Sequence, residues 1–139
     1  MPDSRISDSY TITYRSDLHL LIGRWLSDAP VAQLQADYED LLAVAETHGV
    51  ARWLLDVRRR DQLSPELGHW ANYTFYPLAS TKLAPQPLHI AVLCSPARLA
   101  VYAADTQQQA YLEYGLSAER PYHLHLFGDE GQAMHWLYS

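Results

Sequence analysis

The sequence predicts one α/β domain with a mixed sheet of four to five strands, opened by an antiparallel hairpin and covered by about four helices. Three observations predict it. Trp53-Leu54-Leu55-Asp56-Val57 is a short apolar run held between Gly49 and the charged Arg58-Arg59-Arg60-Asp61, which suits a central strand packed on both faces. Near the start, apolar and polar side chains alternate through two short segments, as half-buried strands do. Three times a capping residue close to a proline opens a stretch of helical spacing, at Ser27–Pro30, Ser64-Pro65 and Ser95-Pro96. Strands and helices therefore alternate as crossover units do.

Residues 1–8 are polar, read as a frayed terminus and show no apolar core of a signal peptide. Ser9–Arg15 places Tyr10, Ile12 and Tyr14 on one side and Thr11 and Thr13 on the other. Ser16-Asp17 is read as a two-residue turn, with Leu18–Trp25 as the return strand. Pro30 begins a helix whose stripe is Val31, Leu34, Tyr38, Leu41, Leu42 and Ala45, with Gln33, Asp37, Glu39, Asp40 and Glu46 facing water. Gly49 ends it as a left-handed residue. Arg52–Arg58 is the central strand, parallel to Leu18–Trp25 if the helix between them is a crossover.

Ser64-Pro65-Glu66 opens a second helix with Leu67, Trp70, Ala71, Phe75 and Leu78 inward, followed by a polar loop from Ser80 to Pro87. Leu88–Cys94 is a buried strand. Ser95-Pro96 opens a third, peripheral helix with a thin stripe of Leu99, Tyr102, Ala103, Thr106 and Ala110. Tyr122–Phe127 is the last strand. Asp129 and Gln132 resemble a capping box for a short helix through Trp136 and Leu137. The expected core includes Leu20, Ile22, Leu41, Trp53, Leu55, Val57, Ile90, Val92 and Leu124.

The 139 residues fit one domain over 1–139, and 48% apolar with 19% charged residues describes a globular chain. A formal charge of −6 argues against nucleic acid as a partner, since phosphate needs a basic footprint. No apolar run approaches the roughly 18 residues of a membrane span. The one cysteine, Cys94, lies in an apolar strand, which suits a buried thiol and a reducing cytoplasm.

The Leu55-Asp56 strand and the closing Phe127-Gly128-Asp129-Glu130…Ala133…Trp136-Leu137 resemble the STAS/SpoIIAA-like superfamily, and within it the bacterial SpoIIAA-like proteins. The likeness in element order covers nearly the whole chain. It implies a cytoplasmic, non-enzymatic module that binds or regulates a protein partner. Anti-sigma factor antagonists of that superfamily carry a phosphorylated serine at the start of the helix after the central strand. Here Ser64 falls near that place, without the neighbouring serine and glycine and with Pro65 after it.

Arg58, Arg59 and Arg60 follow the central strand, beside Ser64, at the edge where open α/β sheets bind ligands. They read as a site for an anion or an acidic partner, or as a solvated loop whose arginines pair with Asp56, Asp61 and Glu66. Trp70, Tyr73 and Tyr76 make the second helix aromatic on more than one face. Trp70 can serve the core, while Tyr73 and Tyr76 would turn toward an apolar ligand or a partner chain, so a homodimer is expected. His123 and His125 share a strand face, but His-x-His without further ligands does not define a metal site. Asp56 with His89 on a neighbouring strand would make an acid–base pair, or Asp56 is a strand-end carboxylate bonded to Arg58. No phosphate loop, G-x-S-x-G or paired catalytic motif is present, so no catalytic residue, metal or cofactor is expected. A second functional reading is a binder of a small amphipathic acid, its head at Arg58–Arg60 and its apolar part between the second helix and the sheet.

Overall fold

Strands adjacent in sequence lie side by side. In the computed structural model, which describes residues 4–6, 9–60, 62–117 and 119–139, the strands are β1 (Ser4–Ile6), β2 (Tyr10–Arg15), β3 (Leu20–Trp25), β4 (Arg52–Asp56), β5 (Leu88–Leu93) and β6 (Tyr122–Phe127). They occupy the sheet in that order. β1, β2 and β3 are antiparallel, and β3 to β6 run parallel. The five expected strands are all present. The short β1 adds an edge within the stretch read as frayed, pairing Ser4–Ile6 with Thr13–Thr11; residues 1–3, 7 and 8 lie outside the described residues. The hairpin loop is longer than two residues. Arg15 faces Leu20, so Ser16–His19 form the loop, with His19 at φ 50°. A two-residue turn needs positive φ at Ser16 or Asp17, and without a Gly or Asn there the chain spends two more residues.

Helix α1 (Val31–His48) follows Pro30, which sits at the cap position with no side-chain cap bond, so Ser27 and Asp28 do not close it. Its C-terminus is as expected. Gly49 is left-handed at φ 61°, its N–H donates to the Glu46 carbonyl, and the Val50 N–H donates to Ala45 at 3.0 Å, which together satisfy two of the free carbonyls. Asp37 departs from its expected solvent face. It is fully buried and accepts from Trp25 Nε1 at 3.1 Å and Gln33 Nε2 at 2.8 Å.

The second helical segment changes pitch. α2 (Pro65–Trp70) passes into a π-helical stretch (Ala71–Phe75) and then α3 (Tyr76–Leu83). The wider turns rotate the inward face, so Tyr76, Ala79 and Leu83 are buried after Phe75 while Leu78 is exposed. A constant 3.6-residue period puts Leu78 inside instead. Ser80–Leu83 are therefore helical, and the connecting loop is only residues 84–87. The third expected helix is two. α4 (Pro96–Ala104) ends at Asp105, whose side chain accepts from the Gln108 N–H and so caps α5 (Thr106–Leu116). The anticipated stripe breaks there: Ala103, Thr106 and Ala110 are exposed. α6 (Glu130–Leu137) has the expected Asp129 cap, accepting from the Gln132 N–H at 3.1 Å.

Alternation along the strands divides the apolar residues between two faces. One face, with Ile12, Leu21, Trp53, Leu55, Ile90, Val92 and Leu124, forms the larger core beneath α1 and the α2–α3 segment. The other carries Leu20, Leu54, Ala91 and Leu93 against Ala133 and Leu137 of α6. Of the expected core residues only Ile22 is half-buried, at the margin of the α6 face. Among the described residues no helix is long and apolar enough to cross a membrane.

Candidate functional site

The three arginines after the central strand go to three different places. Val57 extends the ladder by donating to the Leu93 carbonyl, and the chain then folds back so that the Arg60 N–H donates to Val57 at 3.0 Å. Arg58 turns to the α6 side of the sheet. Its Nε and Nη2 donate to the two Asp56 carboxylate oxygens at 3.0 and 2.8 Å. Arg24 on β3 donates to the same carboxylate at 2.7 Å and to Glu130 at 2.9 Å. Arg59 is exposed. Arg60 points to the other face and is 1% exposed. The anticipated pairing with Asp56 thus holds for Arg58 and not for Arg60, and Asp61, another expected partner, lies outside the described residues.

The Asp56 network is a charge-balanced clasp between β3, β4 and α6. Burial works to raise the Asp56 carboxyl, but the hydrogen bonds from Arg58 and Arg24 outweigh it and hold the group below its ordinary value. A depressed folded value means the carboxylate's contribution is complete above the unfolded pKa, near about 3.9, and is lost as pH falls through the lower folded value. Asp56→Asn should therefore flatten the acid limb of a stability-against-pH curve measured by urea unfolding; an unchanged acid limb would contradict the assignment. Asp56 and His89 do not meet: Asp56 is in register with Leu93, whereas His89 faces Arg52 four residues back, roughly 13 Å along the strands at about 3.3 Å per residue.

Arg60 and Arg98 form the polar centre on the larger-core face. Ser95 caps α4 by accepting from the Arg98 N–H at 3.1 Å, which puts Arg98 in the first turn of that helix, directly after β5. Arg98 is 6% exposed and donates through Nη1 to the Arg60 carbonyl at 2.8 Å and through Nη2 to the Tyr102 hydroxyl at 3.4 Å. Arg60 donates to the Tyr38 hydroxyl at 3.4 Å, and its guanidinium lies 5.2 Å from the Trp25 ring. The buried Nε of each arginine has no hydrogen-bond partner. Among the described residues no carboxylate forms an ion pair with either. Asp37 lies close enough to feel the Arg60 charge, but its oxygens are taken by Trp25 and Gln33. Burying a cation with no carboxylate paired to it costs on the order of several kcal/mol, which makes this pair the candidate site.

Both side chains line a cavity of about 80 Å³ between the α2 segment, α5 and the sheet. Local sequence opens and shapes it. Gly68 lets α5 approach, since a Cβ there would come within 3.2 Å of the Tyr111 ring. In the π-helical stretch Asn72 donates to the Tyr111 carbonyl at 2.8 Å, tying the wide turn to α5. π-helical turns frequently occur at functional sites. Ser64, also lining the cavity, caps α2 by accepting from the Leu67 N–H at 3.2 Å. Tyr76 and Gln108 line it too, 5% and 4% exposed, with no hydrogen bond from the Tyr76 hydroxyl or the Gln108 side-chain amide to any described residue. Burial pushes the Tyr76 phenol well above its ordinary value, so it stays protonated.

Of the residues singled out from the sequence, Arg60, Ser64 and Tyr76 come together here, and Arg58 and Arg59 do not. Tyr76 is in the cavity wall rather than on the surface, turned inward by the π-helical stretch. Trp70 is half-buried and stacks on Phe75 at 5.1 Å. Tyr73 is 46% exposed against Tyr114. Of Trp70, Tyr73 and Tyr76, expected to face a ligand or a partner chain, only Tyr73 is exposed. Between the second helical segment and the sheet, Tyr38 and Trp53 each pack on the Phe75 ring. His123 stacks on His89 at 4.8 Å and His125 packs on Trp136 at 5.0 Å; among the described residues no three potential ligands are grouped to hold a metal. Cys94 is buried, and burial pushes its thiol up.

Sequence reasoning missed Arg98, Gln108, Tyr38 and Tyr102. The available signal was positional: parallel strands β4 and β5 are each followed within five residues by an arginine, at the edge where such sheets bind ligands. No family model, curated protein or solved structure matches the chain.

Proposed function

We propose that this protein binds a small acidic ligand, holding the acidic head between Arg60 and Arg98. The observation that carries this is the pair of buried guanidiniums, each with a free Nε and neither with a carboxylate partner among the described residues. An anion entering the cavity meets two guanidiniums that already line it, and charge-assisted hydrogen bonds to such groups are of the stronger kind. The location supports it as well, at the carboxyl edge of the parallel strands. The cavity holds a head group and little more, so a long acyl chain does not fit within it. Arg60 lies against Trp25, which makes tryptophan fluorescence a reporter. Titration with propionate at constant ionic strength should give a saturable change in emission and a rise in the thermal midpoint. A response that tracks ionic strength alone, with no saturation for any small anion, would sink this reading.

A further inference from the structure

The cavity holds more polar groups than an acidic head can use. A carboxylate has two oxygens, and the guanidiniums of Arg60 and Arg98, which both line the cavity, can each serve one of them. That leaves the Tyr76 hydroxyl and the Gln108 amide, carried by buried residues of the wall and without a hydrogen bond to any described residue. With a purely hydrocarbon remainder in place, these two groups would be stripped of water and left unpaired, which opposes binding. A ligand with a neutral oxygen close to its carboxylate pairs them instead.

Resting on the anion-site reading above, we infer that the ligand is a short 2-hydroxy or 2-oxo acid, its carboxylate on Arg60 and Arg98 and its second oxygen on Gln108 and Tyr76. Three features agree. The volume, about 80 Å³, is roughly half of the ~150 Å³ apolar cavity that admits benzene, enough for a carboxylate and the first carbon or two. Gln108 offers both a donor and an acceptor, so it serves either a hydroxyl or a carbonyl. The tyrosine hydroxyl, kept protonated by burial, donates to a carbonyl or accepts from a hydroxyl.

The test compares propionate, lactate, pyruvate and inorganic phosphate by calorimetric titration of the full chain, then repeats the series with Gln108→Leu and Tyr76→Phe. Lactate or pyruvate should bind the wild type roughly tenfold or more tightly than propionate, about one hydrogen bond's difference. In Gln108→Leu that ratio should collapse toward one, a change that a merely structural role for Gln108 would not produce, since it would weaken all acids alike. The wild-type ratio stands as a test even if a variant fails to fold. Equal binding of propionate and lactate overturns the inference and leaves the anion site intact. Preference for phosphate overturns the carboxylate class. Absence of binding by all four removes the anion site and this inference with it.

Discussion

Trp53→Ala should lower the unfolding free energy by about 3–5 kcal/mol, the range for removing a fully enclosed tryptophan. Trp53 is 0% exposed in the middle of the sheet. Its partners at the same register are Leu21 on β3 and Ile90 on β5, and its ring lies 6.2 Å from Phe75. The indole N–H donates to the Val50 carbonyl at 3.1 Å, so alanine also frees a buried acceptor. The surrounding strands are hydrogen-bonded on both sides and cannot collapse into the space, which places the loss at the upper part of the range. Urea unfolding followed by far-ultraviolet circular dichroism measures it. A loss below about 1 kcal/mol would mean that β4 is not the centre of the packing.

Arg60→Met should do the opposite, raising stability by about 1–2 kcal/mol while abolishing acid binding. Methionine replaces the aliphatic stem and removes a charge that no described carboxylate balances, and such buried charges often yield stability when exchanged for apolar groups. The backbone is unaffected: the Arg60 N–H still donates to Val57 and its carbonyl still accepts from Arg98. The substitution removes a long hydrogen bond to Tyr38, at 3.4 Å, and the packing of the guanidinium on the Trp25 ring. A site held ready for a ligand at the expense of stability behaves in this way. The thermal midpoint and a propionate titration on the same preparation decide it. A destabilised variant that still binds acids would assign Arg60 a structural task instead.

The order of elements was legible because it depends on local signals. Glycine at the end of α1, serine–proline at the starts of α2 and α4, and aspartate before α6 act within one turn of their own position, and each is where the structure has it. The parallel pairing of β3 with β4 followed from the crossover between them. Ser64 was legible as a cap for the same reason. Where local signals are silent, the structure departs from expectation. The π-helical stretch at Ala71–Phe75 has no residue signature, yet it decides that Tyr76 faces the cavity and Leu78 the solvent. The break at Asp105 reads as a polar interruption in one helix until its side chain is seen capping the next. Asp37 belongs to a polar run by sequence. Only the Trp25 and Gln33 donors, one of them twelve residues away, make its burial tolerable.

The site divides along the same line. By itself the sequence determined that charge gathers at the carboxyl end of the central strand, beside a capped helix. Only the tertiary structure decided which arginine matters. Asp56 faces the α6 side and takes Arg58 with it, and the chain reversal after Val57 sends Arg60 to the opposite face. Arg98, thirty-eight residues on, reaches the Arg60 carbonyl because β4 and β5 are neighbours in the sheet. Residues distant in sequence are brought together here only through strand pairing, and no local pattern encodes that neither arginine is paired with a carboxylate among the described residues.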